Sequence, residues 1–142
     1  MKKLILLITV ALLSVTVNAQ SIVQSLYSNV ASGVKLTDTV TNAGTVTMSS
    51  AVVSGSAQNV TITATFTKLT GTVAGTATLL GSLNGTDWTS ASGTSYTVTD
   101  VASATTSWLL TNKPFQYYRV SVTGSGTSTY TVKGQVLSVV RK

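Results

Sequence analysis

Cysteine, histidine and glutamate are all absent, and proline occurs once, at Pro114. Without cysteine no disulfide staples the fold, so stability has to come from packing and backbone hydrogen bonds. Without histidine or cysteine, the Ser-His-Asp and Cys-His arrangements and the usual zinc sites are excluded. Without glutamate, the side-chain carboxylates are Asp38, Asp87 and Asp100, and a Glu general acid is ruled out. Asp87 and Asp100 flank one polar stretch, so a paired-aspartate hydrolase is the catalytic alternative to weigh. Both also stand where turns and strand ends ordinarily place aspartate. Many serines accompany the lysines, but no motif singles out a Ser-Lys nucleophile. The expectation is a non-enzyme with no catalytic residue and no cofactor.

Negative charge is scarce. Nine basic residues face three acidic ones, for a formal net charge of +6. Apart from Lys2-Lys3 at the start, the basic residues do not cluster: Lys35, Lys68, Lys113, Arg119 and Lys133 are scattered singly, and Arg141-Lys142 are adjacent at the end. A nucleic-acid surface needs a basic stripe with stacking aromatics, so no nucleic-acid partner is expected. Scattered lysines instead keep a neutral surface soluble and discourage sheets from pairing edge to edge.

Long hydrophobic runs are also lacking beyond the first segment. Lys2-Lys3, the apolar stretch Leu4 to Val17 and the small-residue site Val17-Asn18-Ala19 form an export signal. The stretch falls short of the ~20 residues needed to span a bilayer. Residues 1–19 are therefore expected to be a helical signal peptide, removed before Gln20, with no stable membrane span afterwards. The rest of the 142 residues make one domain, with residues 20–33 as an N-terminal arm or first strand and residues 34–142 as a β-sandwich.

What is abundant is threonine, serine and valine, a composition that suits a pleated surface better than a helix. The clearest strand is Asn59 to Thr67, where Val60, Ile62, Ala64 and Phe66 alternate with threonines. Gly71 and Gly75 bracket a turn, and Thr76 to Leu83 returns, which predicts a β-hairpin. Asn84-Gly85 predicts a second tight reversal before Trp88. Val34–Val40 and Thr45–Met48, separated by Asn42-Ala43-Gly44, predict a smaller hairpin. Thr89 to Gly93 reads as a polar spacer, and Tyr96–Val98, Thr105–Thr111, Phe115–Thr123 and Thr129–Val140 as strands. In the last of these Gly134 marks a bulge or a close crossing. The sum is an all-β, single antiparallel β-sandwich of about eight to nine strands, with jelly-roll and immunoglobulin-like orders both open.

The aromatics are few, and burial is their default. Trp108 and Tyr118 are expected in the core. Trp88, at the end of a turn, and Tyr117, beside Arg119 on the face opposite Tyr118, are the candidate contact residues, with Asn84 and Asp87 next to them. Asn84, Asp87 and carbonyls near Gly85 offer too few oxygens and too little charge for calcium, so no metal is expected.

The word GSLNGTDW, Gly81 to Trp88, resembles the turn of discoidin-like and other carbohydrate-binding sandwiches, with Asn84 in place of the usual aspartate. That resemblance implies a hairpin turn with the tryptophan packed beneath it. Residues 59–140, with KLTGT, GSLNGTDW, FQYYRVSV and TGSGT in order, resemble small virion-associated proteins of tailed phages. The end of the leader, Asn18-Ala19-Gln20, resembles leaders of exported proteins in Bacteroidota, and Asp38-Thr39-Val40 resembles an O-glycosylation acceptor of that group. Together these imply an exported structural or adhesive module of a cell surface or a virion, located in the periplasm, on the surface or outside the cell. Its expected partners are further copies of itself or other surface proteins. A carbohydrate-binding module acting through exposed aromatics is the alternative.

Overall fold

The computed structural model describes residues 20–30, 33–53, 57–112, 114–127 and 129–140. The expected signal segment, residues 1–19, lies outside them. Among the described residues there is no helix, and eleven strands are present. They are β1 (Gln20–Ser25), β2 (Tyr27–Val30), β3 (Gly33–Lys35), β4 (Asp38–Val40), β5 (Thr45–Ser49), β6 (Ala57–Thr70), β7 (Val73–Ser82), β8 (Thr89–Val98), β9 (Ser103–Thr111), β10 (Tyr117–Gly126) and β11 (Thr129–Val140). Two antiparallel sheets result. Sheet A has the order β1-β11-β6-β9, with β4 also on β11, and sheet B has the order β3-β2-β5-β10-β7-β8.

Alternation decides which side of each strand is dry. On β6, Val60, Ile62, Ala64 and Phe66 are buried, while Thr61, Thr63 and Thr65 are part-exposed and Thr67 is exposed. On β10, Tyr118, Val120 and Val122 are buried, and Tyr117, Arg119 and Ser121 point the other way. The inner faces of the two sheets meet in one core. Phe66 of sheet A stacks on Tyr96 of sheet B, ring centroids 5.7 Å apart, and meets the edge of Tyr130 at 6.3 Å. Both Trp108 and Tyr118 are in this core, as expected.

Strand pairing departs from the expected hairpins. Strand β6 pairs with β11 and β9, whereas β7 pairs with β10 and β8, so the two lie in different sheets. The glycine-bounded connection after Thr70 carries the chain across the core. The smaller hairpin also dissolves: β3 and β5 belong to sheet B and β4 to sheet A. The reason is common to both cases. Period-two burial fixes which side of a strand is apolar, and a strand lying opposite satisfies it as well as one lying alongside. The β7–β8 hairpin at Asn84-Gly85 does form. From β4 onward, every connection but that one changes sheet.

The expected spacer Thr89–Gly93 is the first half of β8. Its register against β7 jumps from Thr78↔Ser95 to Leu80↔Ser90, which leaves residues 91–94 as a bulge with Ala91 packed against the core. The strand count exceeds the expected eight to nine because residues 20–35 form three strands. Strand β1 runs beside β11 from Gln20↔Val140 to Ser25↔Gln135. At Leu26, whose N–H donates to the Gly134 carbonyl at 2.9 Å, the chain leaves sheet A and continues in sheet B as β2. Gly134 is thus a close crossing. A β-carbon there would overlap the Leu26 side chain, which is fully buried. The irregularities of β11 fall instead at Thr129/Tyr130 and Val139/Val140.

Candidate functional site

The β7–β8 turn is built around two side chains. Asn84 Oδ1 accepts from the Thr86 and Asp87 N–H groups, both at 2.9 Å, and from the Ser82 hydroxyl at 3.0 Å. Asn84 Nδ2 donates to Asp87 Oδ2 at 2.7 Å. Ser82 Oγ, itself buried, accepts from the N–H groups of Gly85 at 2.9 Å and Asn84 at 3.3 Å. An Asn side chain that closes its own turn in this way is the usual reason for asparagine at such a position. Gly85 takes a positive φ of 78°, which glycine adopts at least cost. It also lies over the Tyr117 ring, whose carbons would be 3.5 to 3.6 Å from a β-carbon at 85.

The turn therefore folds back over the outer face of sheet B. Trp88 covers Arg119, with Arg119 Cζ 3.9 Å from the ring centroid. Arg119 Nε donates to Ser49 Oγ at 2.9 Å, and burial pulls the guanidinium pKa below its ordinary value. A cation partly withdrawn from water in this way is attracted to the indole face by about 1 kcal/mol. Cross-strand register puts Tyr27, Ser49, Arg119 and Leu80 in one row across β2, β5, β10 and β7. Beside this row, at the end of the sheets, Leu83, Trp88, Thr89 and Phe115 line an apolar cleft of about 300 Å³. The Phe115 ring rests on Gly81, where no side chain intervenes.

Of the residues expected to make contacts, Trp88, Tyr117 and Arg119 come together as one surface, with Trp88 on the cleft as well. Asn84 and Asp87 stand beside them and hold the turn. Sequence reasoning did not find Ser49, Tyr27, Leu83 and Phe115. Ser49 and Tyr27 reach this surface only through sheet register. Leu83 and Phe115 carried a weak signal, being apolar residues next to turns.

The three aspartate carboxylates are engaged in local structure. Asp38 accepts from the Ser28 hydroxyl and from the Thr39 N–H at 2.8 Å. Asp87 holds Asn84. Asp100 accepts from Lys68 Nζ at 2.7 Å and from the Val73 N–H at 2.9 Å, tying the β8–β9 turn to the β6–β7 connection. Asp87 and Asp100 were expected to be able to approach each other. They lie beyond opposite ends of β8, which by its register against Gly75 to Gly81 is roughly 20 Å at ~3.3 Å per residue. That is too far for paired acid-base work.

Lys68 and the Val73 N–H hold the Asp100 carboxyl below its ordinary value of 3.8. A group with a lower pKa in the folded state adds stability above its unfolded value, and that stability is lost as pH falls through the folded value. The thermal midpoint is expected to start falling as the pH drops below about 4, and Asp100→Asn to shallow that fall. An identical profile in the variant would show that Asp100 contributes nothing to it.

No protein-family model and no curated protein sequence matches this chain. Solved structures of similar fold do exist. The PBSX exported protein XepA superposes over 82% of this chain and 44% of its own, with 12% identity and a TM-score of 0.54. The infectious bursal disease virus Gt strain structure superposes over 87% of this chain and 33% of its own, with 10% identity and a TM-score of 0.50. A family 16 carbohydrate-binding module covers 70% of this chain and 73% of its own, with 8% identity and a TM-score of 0.47. The chain thus spans less than half the length of the first two. At these identities the likeness to the first two is one of fold alone.

Proposed function

We propose that this protein is an exported, non-catalytic jelly-roll module of adhesive type that grips its target through the outer face of sheet B around Trp88. The orders β4-β11-β6-β9 and β5-β10-β7-β8 support the jelly roll, in which successive strands alternate between two sheets. The observation that carries the function is the Trp88–Arg119–Ser49 stack held by the Asn84 turn. An aromatic platform fixed before its target arrives loses little entropy on binding, and aromatics and arginine are the side chains that dominate contact energies. The engagement of all three aspartates in local structure supports a passive role. Cell surface and virion remain its two settings, and Asp38-Thr39-Val40 its candidate glycosylation site.

Carbohydrate recognition is the second reading, and the apolar cleft favours it. Its 300 Å³ matches the lower end of small-ligand sites, and an indole beside a phenyl ring offers aromatic surface to the apolar face of a sugar.

Retention of the purified protein on bacterial envelope fractions tests both readings. Trp88→Ala is expected to reduce retention at least about tenfold, as loss of an interface anchor does, with an unchanged circular dichroism spectrum. Release of the native protein by soluble glycan would select the carbohydrate reading. Loss of retention after protease treatment of the envelope would select protein adhesion. Retention of Trp88→Ala equal to that of the native protein would sink the Trp88 face in either form.

A further inference from the structure

Every sheet that is not closed has two edges, and proteins usually blunt them. In sheet B the edges are β3, three residues long, and β8, which carries the 91–94 bulge with Gly93 at a φ of 67°. One edge of sheet A is shared by β4, three residues long, and β1, six residues long. The other edge is β9, and it has none of these protections. It runs nine residues, SATTSWLLT, in unbroken register against β6, with no charge, no proline, no glycine and no bulge. Among the described residues its backbone pairs on one side only. Its outer face carries Leu109, which at 67% is the most exposed large hydrophobic side chain among the described residues. Between β9 and the β8 bulge an open groove of about 410 Å³ follows Ser107 to Thr111, lined also by Ala91, Ser92 and Pro114.

We infer that β9 is an assembly edge that pairs antiparallel with β9 of a second copy of this chain. Unpaired backbone N–H and C=O groups along a strand are matched by another strand. The sequence of β9 fits itself. Antiparallel pairing centred on Ser107 sets Ser107 against Ser107, Leu109 against Thr105 and Trp108 against Thr106. The exposed set Ser103, Thr105, Ser107, Leu109 and Thr111 then lies on one continuous face, with each Leu109 partly covered by a threonine. Because β9 carries no charged residue, pairing it with its copy sets no like charges side by side. The two-fold arrangement closes on itself and uses up both free edges. This inference rests on β9 alone and is independent of the Trp88 face.

The chain has no cysteine of its own, so one introduced thiol reports cleanly. Residues facing each other across an antiparallel pair have Cα atoms about 4.5–5.5 Å apart, within the reach of a disulfide. Air oxidation of Ser107→Cys is therefore expected to yield a disulfide-linked dimer. Ser121→Cys, on the outer face of sheet B, is expected to stay monomeric. Sedimentation velocity of the native protein over the micromolar to submillimolar range is expected to show a reversible dimer. Leu109→Lys, at an exposed position that leaves the core intact, is expected to weaken that dimer at least about tenfold. A native protein that stays monomeric throughout the range would overturn the inference. So would a dimer that Leu109→Lys leaves unchanged, or equal cross-linking of the two cysteine variants.

Discussion

Phe66→Ala is expected to lower the unfolding free energy by about 3–5 kcal/mol, the usual cost of removing a phenyl ring from a packed core. Phe66 is 2% exposed and sits on β6, which is paired on both sides. Its ring links the two sheets through Tyr96. It stacks on Tyr96 of β8 with the planes 14° apart and meets Tyr130 at 67°. The substitution removes both aromatic contacts and leaves a void that two tyrosines, each anchored in its own strand, can only partly fill. Equilibrium denaturation in urea is the measurement: the midpoint should fall with the slope unchanged. A loss below about 1 kcal/mol, within the range of ordinary substitutions, would mean that the sheets do not depend on this bridge.

Gly134→Val is the second large effect, and it works by excess volume. The Leu26 side chain occupies the space that a β-carbon at 134 would need. Leu26 is fully buried where β1 gives way to β2, so neither group has room to withdraw. Overfilling a packed site costs typically about 1–3 kcal/mol. Here the cost should reach or exceed the top of that range, because the Leu26 N–H to Gly134 carbonyl hydrogen bond is strained as well. The signature is compensation. Leu26→Ala alone is destabilising by about 2–5 kcal/mol, and the double variant Leu26→Ala with Gly134→Val should be more stable than the sum of the two losses predicts. Additive losses would show that the two residues do not compete for one space.

The two predictions touch different kinds of legibility. The burial of Phe66 could be read directly from Val60, Ile62, Ala64 and Phe66, because alternation on a half-buried strand is a local property. The same holds for Tyr118 against Tyr117 on β10 and for the turn at Asn84-Gly85. Which strand lies beside which is not local. Thr70 and Val73 are three residues apart, yet β6 and β7 end in different sheets, and nothing in their alternation separates that outcome from a hairpin. The crossing at Leu26 is hidden for the same reason. Ser21 to Val30 has little alternation, since Ser21 to Ser25 serve sheet A and Tyr27 to Val30 serve sheet B. Gly134 hinted at the crossing, but its partner lies more than a hundred residues earlier. At the candidate site the individual residues were legible and their assembly was not. Trp88 and Arg119 are both conspicuous, but only the folding back of the turn over sheet B stacks one on the other, and Ser49 joins them only through the β5–β10 register.

The adjacency of Gln20 and Val140 across β1 and β11 bears on how such a module takes mechanical load. Tension applied between these two points pulls at the same end of one antiparallel pair. The strands then unzip, with each cross-strand bridge bearing the load in turn, whereas shear would load all six together. A tether drawn from both of these points would yield early by shedding β1, while β6, β9 and the rest of β11 keep their partners. Tension applied between the Trp88 face and either point would instead have to part the aromatic core. The direction of pull therefore decides whether the molecule behaves as a soft link or a stiff one.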